Sequence, residues 1–227
     1  MMNASTIATE AAHPQALVMV DTALFTIHDE RLCLILARRR EAPFAGALAL
    51  PGGFVHIDED ADTESAARRV IRAKIGFDAP YLEQLFTFSG AHRDPRGWSL
   101  SVAYYALVPA TLLDASQMAE AFAVDALPAL PFDHDRIVAR AVQRLRDKAT
   151  YSSLPAFLLP ETFTLNELHR IYEHSIGTRL DKASFRQKII EQGIIEPIAG
   201  SFRTGAHRPA QMYRLSRSTL TAFARQI

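Results

Sequence analysis

The segment Leu50-Pro51-Gly52-Gly53-Phe54 constrains the fold of this chain more than any other. A proline followed by two glycines ends regular structure and makes the backbone turn. The surrounding stretch, Pro43 to Phe54, reads as a loop holding one short strand in ALALPGGF. Directly after it a helix is expected over Glu64–Ile75. Ala67, Val70, Ile71 and Ile75 recur at helical spacing, and Gly76 stands where a helix usually ends.

Strands surround this turn-and-helix unit. Ala16–Ile27 is apolar and β-rich, His28-Asp29-Glu30 is a polar turn, and LCLILA returns, so the two runs predict a hairpin. Two more strands are expected at about Tyr81–Ser89 and Trp98–Val108, around the turn-rich residues 92–97. Ala115–Pro131 is rich in Ala and Pro and predicts a short helix and a loop. Asp133–Lys148 reads as an amphipathic helix with Ile137, Val138, Ala141, Val142 and Leu145 on one side.

Near Tyr151–Pro160 the pattern changes. Thr164 and Glu167 have capping-box spacing ahead of LHRIYEHSI, which Gly177 closes. Asp181 can cap a second helix, KASFRQKIIEQ, stopping at Gly193. A strand Ile194–Pro197, the loop IAGSFRTGAHRPA and a strand Gln211–Leu215 follow. Helix, turn, helix and hairpin in this order predict a winged helix. The expected division is therefore 1–150 and 151–227, with residues 1–14 a flexible terminus.

Charge supports that division. Residues 1–150 hold 15 Lys and Arg against 19 Asp and Glu, whereas residues 151–227 hold 10 against 6. The basic half is the natural candidate for a polyanion. With 48% hydrophobic and 22% charged residues the chain can bury an ordinary core. No apolar run approaches the roughly 18 residues that span a bilayer, and MMNASTIATE lacks the features of a signal peptide. The one cysteine, Cys33, lies in an apolar run and reads as a small buried hydrophobe. A cytoplasmic protein is expected.

A winged helix reads double-stranded DNA by placing its second helix in the major groove and its wing beside the backbone. The candidate contacts are Lys182, Ser184, Phe185, Arg186 and Lys188 on the helix, and Arg203, Thr204, His207 and Arg208 on the wing. Any one of these cations could equally be a solvated surface charge, and such a motif can also serve protein contacts. Basic residues gathered in both elements favour DNA.

In the first half, LPGGF and the following helix resemble the Nudix family. Its box reads G, five residues, E, seven residues, then R-E-U-x-E-E-x-G-U, with U apolar. Gly53 and Glu59 have the first spacing, and Arg69, Ile71, Gly76 and Phe77 fit the end; the intervening loop is two residues longer. The three remaining glutamate positions hold Val70, Ala73 and Lys74. Mg²⁺ needs several oxygen ligands, so neither a metal site nor Nudix hydrolysis is expected here. Asp58, Glu59, Asp60, Asp62 and Glu64 form an acidic cluster that reads as a solvated loop favouring a helix N-terminus, or as a relocated metal site. Lys74 could itself be the counter-charge for a diphosphate. The candidate ligand-binding residues are Arg39, Gly53, Phe54, Arg69, Lys74, Arg93, Arg96 and Trp98. Taken singly, the arginines and aromatics could as well be turn, surface or packing residues.

Over nearly its full length the chain resembles the Nudix-related transcriptional regulators of bacteria. LALPGGFV, LLPETFTLNELHRIYE, LDKASFRQKI and HRPAQMYRL carry that resemblance, in that order. It implies an α+β chain: a Nudix-like α/β/α sandwich with a mixed sheet, then a winged helix-turn-helix. It implies a homodimer on a palindromic operator that represses NAD-metabolism genes and responds to ADP-ribose or a related nucleotide, with no cofactor required and no membrane partner. The alternatives are an atypical Nudix hydrolase of a nucleoside diphosphate derivative and a regulator of a sugar or other catabolic operon.

Overall fold

The computed structural model describes residues 15–113, 118–204 and 209–227. The terminus expected to be flexible, residues 1–14, lies outside them.

A mixed sheet organises the first half. Strands β1 (Leu17–His28) and β2 (Arg31–Arg38) form the expected hairpin, and β1 also runs parallel to β6 (Ser99–Leu107), which pairs with β5 (Tyr81–Gly90). Short strands β3 (Leu48–Ala49) and β4 (Gly52–Phe54) add to β2 and β1 respectively. Side chains of a strand alternate between faces, and β1 uses both. Ala23 and Phe25 join Ile137, Val138, Ala141 and Leu145 of helix α3 (His134–Ala149), after the short α2 (Ala110–Leu113). Leu24 instead joins Ile71 and Ile75 of α1 (Thr63–Ile75). The sheet is thus packed between α1 and α3, the expected α/β/α sandwich.

Local chemistry sets the ends of α1. The Asp62 carboxylate accepts from the Ser65 backbone N–H at 2.7 Å, and the Ser65 hydroxyl sits 2.9 Å from the Asp62 N–H. Gly76 closes the helix at φ 94°, a left-handed conformation that suits glycine.

One expectation for this half is corrected. Within Ala115–Pro131, Glu120–Ala123 is a strand, β7, paired antiparallel with β2. Residues 114–117 lie outside the described chain, and the short helix α2 comes before them. Four residues are too few for periodicity to distinguish a strand from a loop.

The second half is a winged helix, built from β8 (Phe163–Thr164), α4 (Leu165–Ile176), α5 (Lys182–Glu191), β9 (Ile195–Arg203) and β10 (Ala210–Leu215), with sheet order β8-β10-β9. Thr164 and Glu167 make the predicted capping box. The wing strand β9 is longer than the expected Ile194–Pro197. Phe202 pairs with Gln211 while Pro197 pairs with Tyr213, so β9 bulges between them. The Gln211 carboxamide donates to the carbonyls of Ile198 at 2.8 Å and Ser201 at 3.1 Å, which holds the bulge in ladder-like bonding.

The junction is buried. A 3-10 turn at Leu154–Leu158 puts Leu154, Phe157 and Leu158 into the apolar cluster that contains α3, and Ile171 of α4 joins them. The Tyr172 hydroxyl donates to the Ser152 carbonyl at 2.8 Å, and the N–H groups of Phe223 and Ile227 reach the carbonyls of Tyr151 and Thr150 at 2.7 and 2.8 Å.

Candidate functional site

Pairing of β4 with β1 sets Gly53 opposite Val20 and Gly52 opposite Asp21. A Cβ on Gly52 would lie 2.0 Å from the Asp21 carboxylate, so only glycine fits there. A Cβ on Gly53 would lie 3.0 Å from Val70, which is 3% exposed and packed with Val20 and Tyr104. Val70, which the reading above sets at the first glutamate of the R-E-U-x-E-E segment, is therefore a core residue. Above this floor opens a cavity of about 770 Å³ between β4, α1, the β2–β3 loop, the β5–β6 loop and the residues leading into α3.

The floor is a closed polar network. Arg93, 8% exposed, donates to Asp133 at 2.9 and 3.2 Å, to Asp21 at 3.3 Å and to Ser99 at 3.3 Å. Ser101 donates to Asp21 at 2.7 Å. The Leu50 N–H donates to Nδ1 of His134 at 3.2 Å, and Nε2 of the same ring lies 3.5 Å from the Asp21 carboxylate. Burial opposes ionisation of Asp21, but His134, Ser101 and Arg93 outweigh it and hold the carboxyl at about 2.

The walls carry cations in a different state. Arg39 donates to backbone carbonyls, Pro43 at 2.8 Å and Glu41 at 3.4 Å, and its guanidinium lies 4.8 Å from the Phe132 ring centre. Burial, then the nearby Arg96, pull its pKa down. Lys74 is half-buried; burial and then Arg39 pull its pKa down, against Asp21 and Glu41. Among the described residues no carboxylate lies within ion-pair distance of Lys74. Arg96 is clamped by Asp94 at 2.7 and 3.0 Å and lies 4.8 Å over Phe54.

Of the acids between Asp58 and Glu64, all but Asp58 have a structural partner among the described residues. Arg69 grips Asp60 at 2.7 and 2.8 Å and also donates to the Phe54 carbonyl; this pairing holds the Asp60 carboxyl at about 2. Asp62 caps α1, Glu64 pairs with Arg68 at 2.9 Å, and Glu59 lies 3.1 Å from His56. A divalent ion fits poorly among these side chains. Among the described residues no group of three or more His, Cys, Asp or Glu is placed to hold one.

On the winged helix, Lys182, Ser184, Arg186 and Lys188 are exposed along α5, whose N-terminus Asp181 caps through the Ser184 N–H at 2.8 Å. Phe185 corrects the expectation: it is 2% exposed and packs edge-on against His169 and Tyr172, at 5.0 and 5.1 Å, so it holds α5 to α4 and cannot reach DNA. Arg203 pairs with Glu167, Thr204 is exposed, and His207 and Arg208 lie outside the described residues.

The comparisons with known proteins fit this architecture. A NUDIX domain profile matches residues 18–144, and a profile of the NrtR DNA-binding winged helix domain matches residues 155–215. The ADPR responsive transcriptional repressor NtrR of Acinetobacter baylyi is 39% identical over 214 residues, spanning 90% of this chain and 84% of that protein. The chain belongs to the NrtR family. Shewanella oneidensis NrtR in complex with a 27mer DNA superposes with a TM-score of 0.84 at 34% identity, over 92% of this chain and 99% of that one. The Nudix domain of the same NrtR, in complex with ADP ribose, gives a TM-score of 0.53 at 32% identity, over 61% of this chain and 94% of that one.

Within this NrtR-family framework, Arg39, Gly53, Phe54, Arg69, Lys74, Arg93 and Arg96 all line the cavity. Trp98 is not among its lining residues and is 49% exposed. Sequence reasoning missed Asp21, Phe132 and His134. An aspartate inside the apolar run VMVDTALF was a signal for Asp21. Phe132 and His134 flank the start of α3, where only the helix was considered.

Proposed function

We propose that this chain is a homodimeric transcriptional repressor of NAD-metabolism genes, with residues 1–150 sensing ADP-ribose or a closely related nucleotide and residues 151–227 gripping a palindromic operator. The observation that carries the sensing half is the crowding of Arg39, Lys74 and Arg96 around one cavity, with Lys74 lacking a carboxylate partner among the described residues. Burial and then Arg39 lower the Lys74 pKa, and burial and then Arg96 lower that of Arg39, so a diphosphate that accepts charge-assisted hydrogen bonds from these two side chains relieves them. The ADP-ribose-responsive Acinetobacter relative and the ADP ribose complex of the Shewanella NrtR Nudix domain support ADP-ribose as that ligand.

Binding without cleavage follows from the same wall. Val70, Ala73 and Lys74 stand where Nudix enzymes gather carboxylates for Mg²⁺. An ammonium about 4 Å from a divalent ion would be repelled by several kcal/mol at intermediate dielectric. The nucleotide is therefore held and released intact, and no cofactor is required.

Helix α3 is the natural transmitter. Asp133 and His134 at its start belong to the cavity floor, and Lys148 and Thr150 at its end meet the junction with the winged helix. An effector alters DNA affinity only if it binds the two states of this element unequally.

A gel shift on the DNA upstream of the chain's own gene, repeated with ADP-ribose, NAD and sugars while nucleotide integrity is followed by chromatography, tests the reading. The expected result is a shift that ADP-ribose alters, with the nucleotide recovered whole. Mg²⁺-dependent cleavage that disappears when the acids of Asp58–Glu64 are replaced would make the chain a hydrolase instead. Operator affinity equal with and without saturating effector would remove the sensing role.

A further inference from the structure

Among the described residues from 155 onward, two large hydrophobic side chains are exposed, Ile190 and Phe202, each 52%. Phe202 belongs to the wing. Its neighbour Arg203 turns back to pair with Glu167 in the first turn of α4. Successive strand residues point to opposite faces, so Phe202 projects away from the body of its own domain. The bulge of β9 lies directly before it, with Gly200 at φ 69° in the bulge and the Gln211 side chain bonded to the Ile198 and Ser201 carbonyls. The bulge is thus braced by Gln211, and the aromatic ring that follows it stands in solvent at an energetic cost.

The setting selects the occupant. Exposed Lys182, Arg186 and Lys188 lie on α5 of the same small domain, and residues 151–227 carry net positive charge. A polyanion drawn to that surface meets the wing alongside α5. Apolar side chains that meet duplex DNA from such a wing lie against deoxyribose or wedge at the minor-groove edge.

We infer that Phe202 is an apolar DNA contact of the wing, seated against the deoxyribose and minor-groove edge beside the helix α5 footprint. This rests on the DNA-binding reading above but adds a contact of different chemistry. Its contribution does not depend on released counterions, unlike that of the basic residues.

The test uses the full chain and a duplex from upstream of its own gene, with affinity measured by fluorescence anisotropy across a salt series. Phe202→Ala is expected to weaken binding about tenfold at every salt concentration, leaving the slope of log affinity against log salt as in the wild type. Arg186→Ala in parallel should make that slope shallower by about one. A second variant, Trp98→Phe with Phe202→Trp, places the chain's single tryptophan on the wing, and its emission should be quenched when duplex is added. An affinity for Phe202→Ala within twofold of wild type, a loss accompanied by a shallower slope, or an unquenched wing tryptophan overturns the assignment. Unimpaired ADP-ribose binding and an unchanged melting temperature establish that the variants are folded. Failure of the wild-type chain to bind duplex in a salt-dependent way would instead sink the regulator reading, and this contact with it.

Discussion

The cavity floor and the outer face of α5 use similar residues to opposite ends. On the floor, Arg93 is buried and answered on every side by Asp21, Asp133 and Ser99. On α5, Arg186 and Lys182 are exposed, and neither is paired by a carboxylate of the chain among the described residues. A charge enclosed by partners fixes a shape, because removing one member strands the others in a low-dielectric interior. A charge left open to water costs the fold little and stays available to a partner. Lys74 stands between these extremes, half-buried and without a carboxylate partner among the described residues, which is the condition expected of a group that takes a ligand.

The largest effect should come from breaking the floor. Arg93→Ala removes the guanidinium that bridges two buried carboxylates and should cost about 3–5 kcal/mol in urea unfolding; a loss below 1 kcal/mol would mean the floor is not an interlocked network. Acid should act on the same site. The Asp21 carboxyl is held at about 2 against an ordinary 3.8, so its stabilisation is complete above pH 4 and is lost as pH falls toward 2. That amounts to roughly 2 kcal/mol, and this portion of the acid-side decline should be missing in Asp21→Asn, measured relative to that variant's own neutral-pH stability.

The intermediate case is sharper on ligand binding than on stability. Lys74→Ala should weaken ADP-ribose binding by about tenfold, the scale of one lost charge-assisted hydrogen bond, with melting temperature nearly unchanged; unaltered affinity in calorimetry would show that the ammonium faces solvent only. At the open extreme, Arg186→Ala should leave thermal stability within about 0.5 kcal/mol of wild type. It should weaken operator binding by less than tenfold in about 0.15 M salt, where phosphate contacts are screened. A large stability loss there would place Arg186 with the enclosed charges.

The same contrast explains what could be read from the sequence. Helices α1, α3, α4 and α5 and the β1–β2 hairpin were legible because period, caps and turn residues are local signals. The cavity floor was not, since Asp21 and Arg93 are 72 positions apart and nothing local marks them as partners. The basic surface of α5 could be read as a surface, but Phe185, expected among its DNA contacts, does not belong to it. Its neighbours His169 and Tyr172 on α4 claim it instead. Strand β7 escaped notice because its existence depends on β2 as a partner rather than on its own four residues.

The apolar cluster that runs from α3 through Leu154, Phe157 and Leu158 to Ile171 has a consequence for how the molecule melts. Two halves joined by a slack tether would denature in separate steps, each at its own temperature. A shared interior makes each half part of the other's scaffold, so calorimetry should record one transition. A nucleotide bound only in the first half would then raise the melting temperature of both, and a protease would find no soft seam at residue 150.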